Sequence, residues 1–225
     1  YDMSNDAFTY VYEDTFSGTD TDIYTTTFTS GGTFVAGFYV DSSGADWINP
    51  NVAHLNAPNR NLIVASRVSA STGFSEVVGR IMDVSSPTLM PEFVIGEGNA
   101  SWDNFRPDVG GNSTGGPLTV FLVVWEREFA TNTQPRYRTV ISDGTMGPFE
   151  RTGVVISEST GDPATVNRWN VAYRSEDLST GAVSLRGLQI NAGGGIISGP
   201  SDIITVPAGE DLNEIDVSEA LDLGG

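Results

Sequence analysis

The stretch 121-FLVVWERE-128 runs through five apolar residues and then three charged ones. The same profile recurs at 8-FTYVYED-14, 62-LIVASRV-68 and 169-WNVAYRSED-177. A short, nearly continuous run of this kind, rich in β-branched and aromatic residues, predicts a strand buried on both faces. Each run is followed by a second strand pattern, at 22-DIYTTTF-28, 76-EVVGRIMD-83, 136-RYRTVISDG-144 and 183-VSLRGLQIN-191. A third follows a turn rich in Gly or Pro: 34-FVAGFYV-40, 92-EFVIG-96, 153-GVVIS-157 and 202-DIITV-206. Ahead of three of the units stands a proline signature, 50-PNV-52, 107-PDV-109 and 163-PATV-166, whose valines Val52, Val109 and Val166 are 57 residues apart each time. A weaker copy, 215-IDV-217, lacks the proline. Only 210-EDLNEIDVSEALDL-223 reads as a helix.

Four short antiparallel strands repeated about every fifty residues match the period of a propeller blade. One such sheet cannot bury both of its faces, so it stacks on its copies around an axis. The expected fold is all-β, a single domain over 1–225: a four-bladed β-propeller of four-stranded antiparallel blades. Its units run approximately over 1–49, 50–106, 107–162 and 163–214, with 215–225 as a closing strand. The first unit opens on its second strand, and the chain ends on a first strand around Ile215 to Val217. Pairing of the two would complete one blade and hide an open edge. The alternative is part of a larger propeller. Tyr12, Ser66, Trp125 and Tyr173, each fifth in its run, align as equivalents; Trp125 and Trp169 are core.

The succession P-x-V, L-V-V-W-E, D-I-Y and a closing I-S strand resembles the propeller repeats of secreted bacterial proteins, similar in plan to TolB-type repeats. The resemblance covers almost the whole chain, but its motifs are structural. It implies a binding module, adhesin or accessory domain of an exported protein, and it brings no catalytic motif with it. Two places depart from the pattern: Ser66 stands where Trp or Tyr is expected, and the proline before Val217 is missing.

Composition removes several chemistries. The 225 residues are 39% hydrophobic and 10% aromatic, too apolar for a disordered chain. No run reaches the ~18–20 apolar residues that span a bilayer, so no membrane insertion is expected. Acidic residues number 29 against 11 basic ones, all of them arginine, for a net charge of −18. Such a surface repels nucleic acid and anionic lipid. Cysteine and lysine are absent, which excludes disulfides, thiolate chemistry, Schiff bases and the Walker phosphate loop. The single histidine, His54, rules out multi-histidine metal sites.

Three groups of residues carry candidate chemistry. The middle residues of the inner-strand signature, Asn51, Asp108, Thr165 and Asp216, would offer four side-chain oxygens around the axis and could hold Ca²⁺; otherwise they hydrogen-bond to neighbouring backbone. Trp47, Trp102, Arg106 and His54 flank the inner strands and would form a ligand surface, a tryptophan ring stacking on a sugar; otherwise the tryptophans plug the gaps between blades. Asp103, Asp108, Glu126 and Glu128 supply carboxylates for acid–base work on a glycosidic bond. Acidic turns such as 20-DTD-22 and 41-DSSGAD-46 read as turn chemistry. The expected function is a non-catalytic binding or interaction module of an exported, extracellular bacterial protein, recognising a glycan or protein partner through loops on one face. The alternatives are a carbohydrate-active hydrolase or lyase using paired carboxylates, and a structural subunit of an extracellular assembly. Oligomeric state is left open.

Overall fold

The computed structural model describes residues 2, 4–16, 20–69, 71–111, 119–147, 151–152, 168–210 and 212. Their regular structure is entirely β, in four antiparallel sheets that follow one another along the chain. The first sheet holds β1 (Ala7–Phe16), β2 (Asp20–Thr29) and β3 (Phe34–Tyr39). The second holds β4 (Trp47–Leu55), β5 (Arg60–Val68), β6 (Ser75–Asp83), β7 (Thr88–Leu89) and β8 (Phe93–Gly96). The third holds β9 (Trp102–Gly110), β10 (Val120–Phe129), β11 (Thr133–Ile141) and β12 (Arg151–Thr152). The fourth holds β13 (Arg168–Glu176), β14 (Val183–Asn191) and β15 (Ile196–Val206). The four apolar runs are β1, β5, β10 and β13. The first strand expected at 163–166, the closing strand at 215–217 and all of the helical stretch 210–223 except Glu210 and Leu212 lie outside the described residues.

Alternation along each strand assigns one side chain to each neighbouring sheet. On β5, Ile63 and Ala65 join Ile23, Val40, Trp47, Val78 and Met82 in a core between the first and second sheets. Leu62 and Val64 point the other way, into a second core with Ile81, Phe121, Trp125, Val140, Trp169, Val171 and Ile190. Arginines tie the layers together: Arg80 Nη1 donates to the carbonyl of Val40 at 2.5 Å, and Arg138 Nη1 to that of Ile95 at 2.9 Å. Tyr137 donates to the carbonyl of Gly194 at 3.1 Å, from the third sheet to the fourth.

The proline signature marks a bulge. Asn49 and Arg106 precede Pro50 and Pro107 and have φ of 53° and 47°, a left-handed conformation uncommon outside glycine. Register slips there, between Ile48 and Asn51 on β4 and opposite Val124 and Glu126 on β10. The freed N–H groups reach the preceding sheet: that of Asn49 donates to Glu13 Oε1 at 2.6 Å, and that of Arg106 to Ser66 Oγ at 3.1 Å.

Register also corrects one equivalence. Val52 lies opposite Ile63, and Val109 opposite Val123. Counting two residues on from each, the counterpart of Trp125 is Ala65 rather than Ser66. Ala65 and Trp125 both face the preceding sheet, while Ser66 faces the following one. A one-residue slip reverses every side chain, so Ser66 was never a defective tryptophan position.

Candidate functional site

The expected ligand set separates on the structure. Trp47, the first residue of β4, is fully buried, with the Arg67 guanidinium 5.6 Å over its ring. It offers no face to a ligand and plugs the junction instead. Trp102 is half-buried; Arg127 lies 4.7 Å over its ring, Phe129 packs at 5.8 Å, and its indole N–H donates to the Glu97 carbonyl at 3.0 Å. Arg106 is exposed and paired with Glu126 at 2.7 Å. His54 sits near the far end of β4 from Trp47, seven residues and about 23 Å along the strand. Its Nδ1 meets Asn61 Oδ1 at 2.7 Å, and Asp2 Oδ1 lies 3.6 Å from Nε2. Burial pushes its pKa below the ordinary histidine value, against the opposing pull of Asn61 and Asp2. His54 is a packing residue at one end of the sheets, and Trp47, Trp102 and Arg106 belong to the other.

Two members of the axial set are described. Asn51 and Asp108 do meet across β4 and β9, but the Asn51 amide donates to Asp108 Oδ1 at 2.5 Å. That oxygen also accepts the Val109 N–H at 2.8 Å, and Asn51 Oδ1 accepts the Val52 N–H at 2.7 Å. These oxygens serve protein donors. Thr165 and Asp216 lie outside the described residues. Among the described residues no three acidic or histidine side chains are grouped to hold a metal ion.

Three of the four carboxylates expected on β9 and β10, Asp103, Asp108 and Glu126, are engaged by protein donors. Asp103 lies opposite Glu128, and its Oδ1 accepts the Ser75 N–H at 2.6 Å; Glu126 is held by Arg106. A different group has the features of a site. Asp14, at the end of β1, lies directly opposite Asp22 near the start of β2. Asp20 lies two residues from Asp22 on β2, and Asp41 and Asp46 stand on the loop between β3 and β4. Asp22 is only 3% exposed, and its Oδ1 has no hydrogen-bond partner. Burial is the main cause that pushes its pKa up, and the charges of Asp20, Asp41, Asp14 and Asp46 add to it. Asp14 accepts the Tyr39 hydroxyl at 2.8 Å, Asp41 that of Ser43 at 2.7 Å, and Asp46 the Thr21 N–H at 2.9 Å. A cavity of about 530 Å³, lined by Ser43, Gly44, Ala45, Arg67, Ser69 and Ser71, opens beside this loop. In the sequence 20-DTD-22 and 41-DSSGAD-46 read as turn chemistry, and Asp14 as the end of a strand run. The missed signal is parity: Asp14 continues the row Phe8, Tyr10, Tyr12, so it shares their face of the sheet.

No family model matches the chain, and no curated protein matches it in sequence. Among solved structures, an endo-arabinase from Bacteroides thetaiotaomicron is similar with a TM-score of 0.50 and 11% identity, over 90% of this chain and 78% of that one. The fold is β-propeller-like. Looser likenesses are an N-acetylgalactosamine deacetylase from F. plautii in complex with blood group B trisaccharide (TM-score 0.46, 13% identity, 92% of this chain and 68% of that one) and a GH43 endo-arabinanase from Bacillus licheniformis (0.40, 11%, 90% and 77%). The fold at hand is one on which an endo-arabinase is built, and this overturns the expectation of a non-catalytic binding module.

Proposed function

We propose that the chain is a carbohydrate-active hydrolase that cleaves a neutral polysaccharide with aspartates on the face of the first sheet that carries Tyr12 and Tyr24. The observation that carries this reading is the Asp14–Asp22 pair. Cross-strand partners place their Cβ atoms about 5 Å apart, which brings two carboxyl groups within the ~5–10 Å used to cleave a glycosidic bond. Two like charges set opposite each other are unfavourable unless one is neutralised. Burial and the charges of the neighbouring aspartates favour the protonated form of Asp22, and a protonated carboxyl is what a general acid for such chemistry needs. In this reading Asp22 gives its proton to the leaving glycosidic oxygen. Asp14, oriented by Tyr39, takes a proton from the water whose oxygen bonds the anomeric carbon as the glycosidic C–O bond breaks. The net charge of −18 disfavours a polyanionic substrate. The likeness to an endo-arabinase makes arabinan the first polymer to try. A polymer of that size is met outside the cell, in keeping with an exported protein.

The test is release of reducing ends from a panel of neutral polysaccharides by the wild type, Asp22→Asn and Asp14→Asn. The reading expects release by the wild type and losses of about 10²–10⁴-fold in both variants. Wild-type rates in both variants, or no release from any polymer, would overturn it.

A further inference from the structure

The loop that carries Asp41 and Asp46 also forms one wall of the cavity of about 530 Å³, through Ser43, Gly44 and Ala45. The remaining lining residues, Arg67, Ser69 and Ser71, come from the end of β5 and the turn after it. The volume falls within the roughly 300–1,000 Å³ of small-molecule sites. Both walls are held in place. The first is pinned to β2 on either side of the lining residues: the Val40 N–H donates to the Ile23 carbonyl at 2.7 Å, and Asp46 Oδ1 accepts the Thr21 N–H at 2.9 Å. The second is closed on itself, with the Gly73 N–H donating to the Ser69 carbonyl at 2.7 Å and the Ser69 N–H to that of Phe74 at 3.0 Å.

The polar groups of the lining select a class of ligand. The Arg67 guanidinium lies over Trp47; its Nε and Nη2 donate to Glu76 Oε1 at 3.1 and 2.6 Å, and its Nη1 to Glu92 Oε1 at 2.6 Å. One positive charge therefore stands against two negative ones, and Asp41 adds another beside Ser43. An arginine compensated in this way attracts no anion, and the net charge of −18 repels one further. It still offers hydrogen bonds. Three of its five N–H groups are used among the described residues, which leaves one on each Nη. The serines add the complementary groups. Ser43 donates to Asp41 Oδ2 at 2.7 Å and accepts the Ala45 N–H at 3.3 Å, so its oxygen keeps one lone pair. Ser69 and Ser71 share a hydrogen bond at 3.0 Å, so one of their two hydroxyl protons remains to be given. A sugar hydroxyl gives one bond and takes another, and this lining serves both. A carboxylate would face Glu76, Glu92 and Asp41, and an ammonium would face Arg67.

We propose that this cavity binds a neutral saccharide, at a place distinct from the Asp14–Asp22 pair, with Arg67, Ser43 and the Ser69–Ser71 pair taking its hydroxyls. The loop shared with Asp41 and Asp46 makes it a holding site for the polymer that the hydrolase reading has cleaved nearby. Binding here does not depend on cleavage.

The test is calorimetric titration with short neutral oligosaccharides from each polymer of the hydrolysis panel, and with an oligogalacturonate of the same length. Asp22→Asn serves as the background, so that no ligand is consumed, and Gly44→Trp or Ser69→Ala is added to it. An added Cβ at Gly44 meets nothing within 4 Å and the backbone there is not left-handed, so the indole enters the cavity with the melting temperature unchanged. At least one neutral oligosaccharide is expected to bind the background protein. Gly44→Trp should weaken it about 10-fold or more by obstruction, and Ser69→Ala about 2–10-fold, the worth of one hydrogen bond. Failure of every neutral oligosaccharide to bind overturns the proposal. So does unchanged affinity in Gly44→Trp, which would put the sugar elsewhere, or tighter binding of the oligogalacturonate. If the wild type releases no reducing ends while Gly44→Trp abolishes binding, the hydrolase reading falls and the saccharide site stands.

Discussion

At the residue scale the account rests on Asp22. Its folded-state pKa is raised, so folding favours the protonated form. The sign then follows: its contribution to stability is fully present below the ordinary aspartate value of about 3.9 and is lost as pH rises through the folded value. Asp22→Asn removes the buried charge while keeping the shape. The variant should melt above the wild type at neutral pH, and the difference should close as the pH falls below that ordinary value. Thermal melts of both proteins from acid to neutral pH check this. A variant that melts lower at pH 7 would mean that the charged carboxylate has a stabilising partner. A substitution that raises stability and removes hydrolysis together marks a residue kept for function at a cost to the fold.

At the element scale the recurring unit is a strand whose two faces serve two junctions. Trp125 shows what that requires: its ring fills the space where a side chain at Gly96 would stand, 2.8 Å from an added Cβ, and its N–H donates to Asn104 at 2.8 Å. Trp125→Ala should cost about 3–5 kcal/mol in chemical denaturation, and a loss below about 1 kcal/mol would contradict the stacking. The strands themselves were legible in the sequence, because apolar runs, turn residues and a spacing of 57 between valines are local signals. Their mutual register was not. The loop from Leu55 to Arg60 is short and the one from Gly110 to Val120 long, and counting along apolar runs placed Ser66 against Trp125 where strand pairing places Ala65.

At the scale of the whole molecule, β-propeller-like stacking explains why one strand pattern is written four times. The candidate site was less legible than the fold. Trp47 and Asn51 were chosen for their residue types, but burial and hydrogen bonding decided their roles. Asp22 reads as a turn residue and Asp14 as the end of a strand run, because their opposition appears only when β1 and β2 pair. The measurement that tests the central claim most directly is the pH profile of reducing-end release from a cleaved neutral polysaccharide, run in parallel on wild type and Asp22→Asn. The account predicts a wild-type rate that falls as pH rises through the raised value of Asp22, and a variant about 10²-fold slower or worse at every pH where the wild type is active. A variant that keeps the wild-type profile and rate would show that Asp22 holds no catalytic proton, and the assignment of this site would fall.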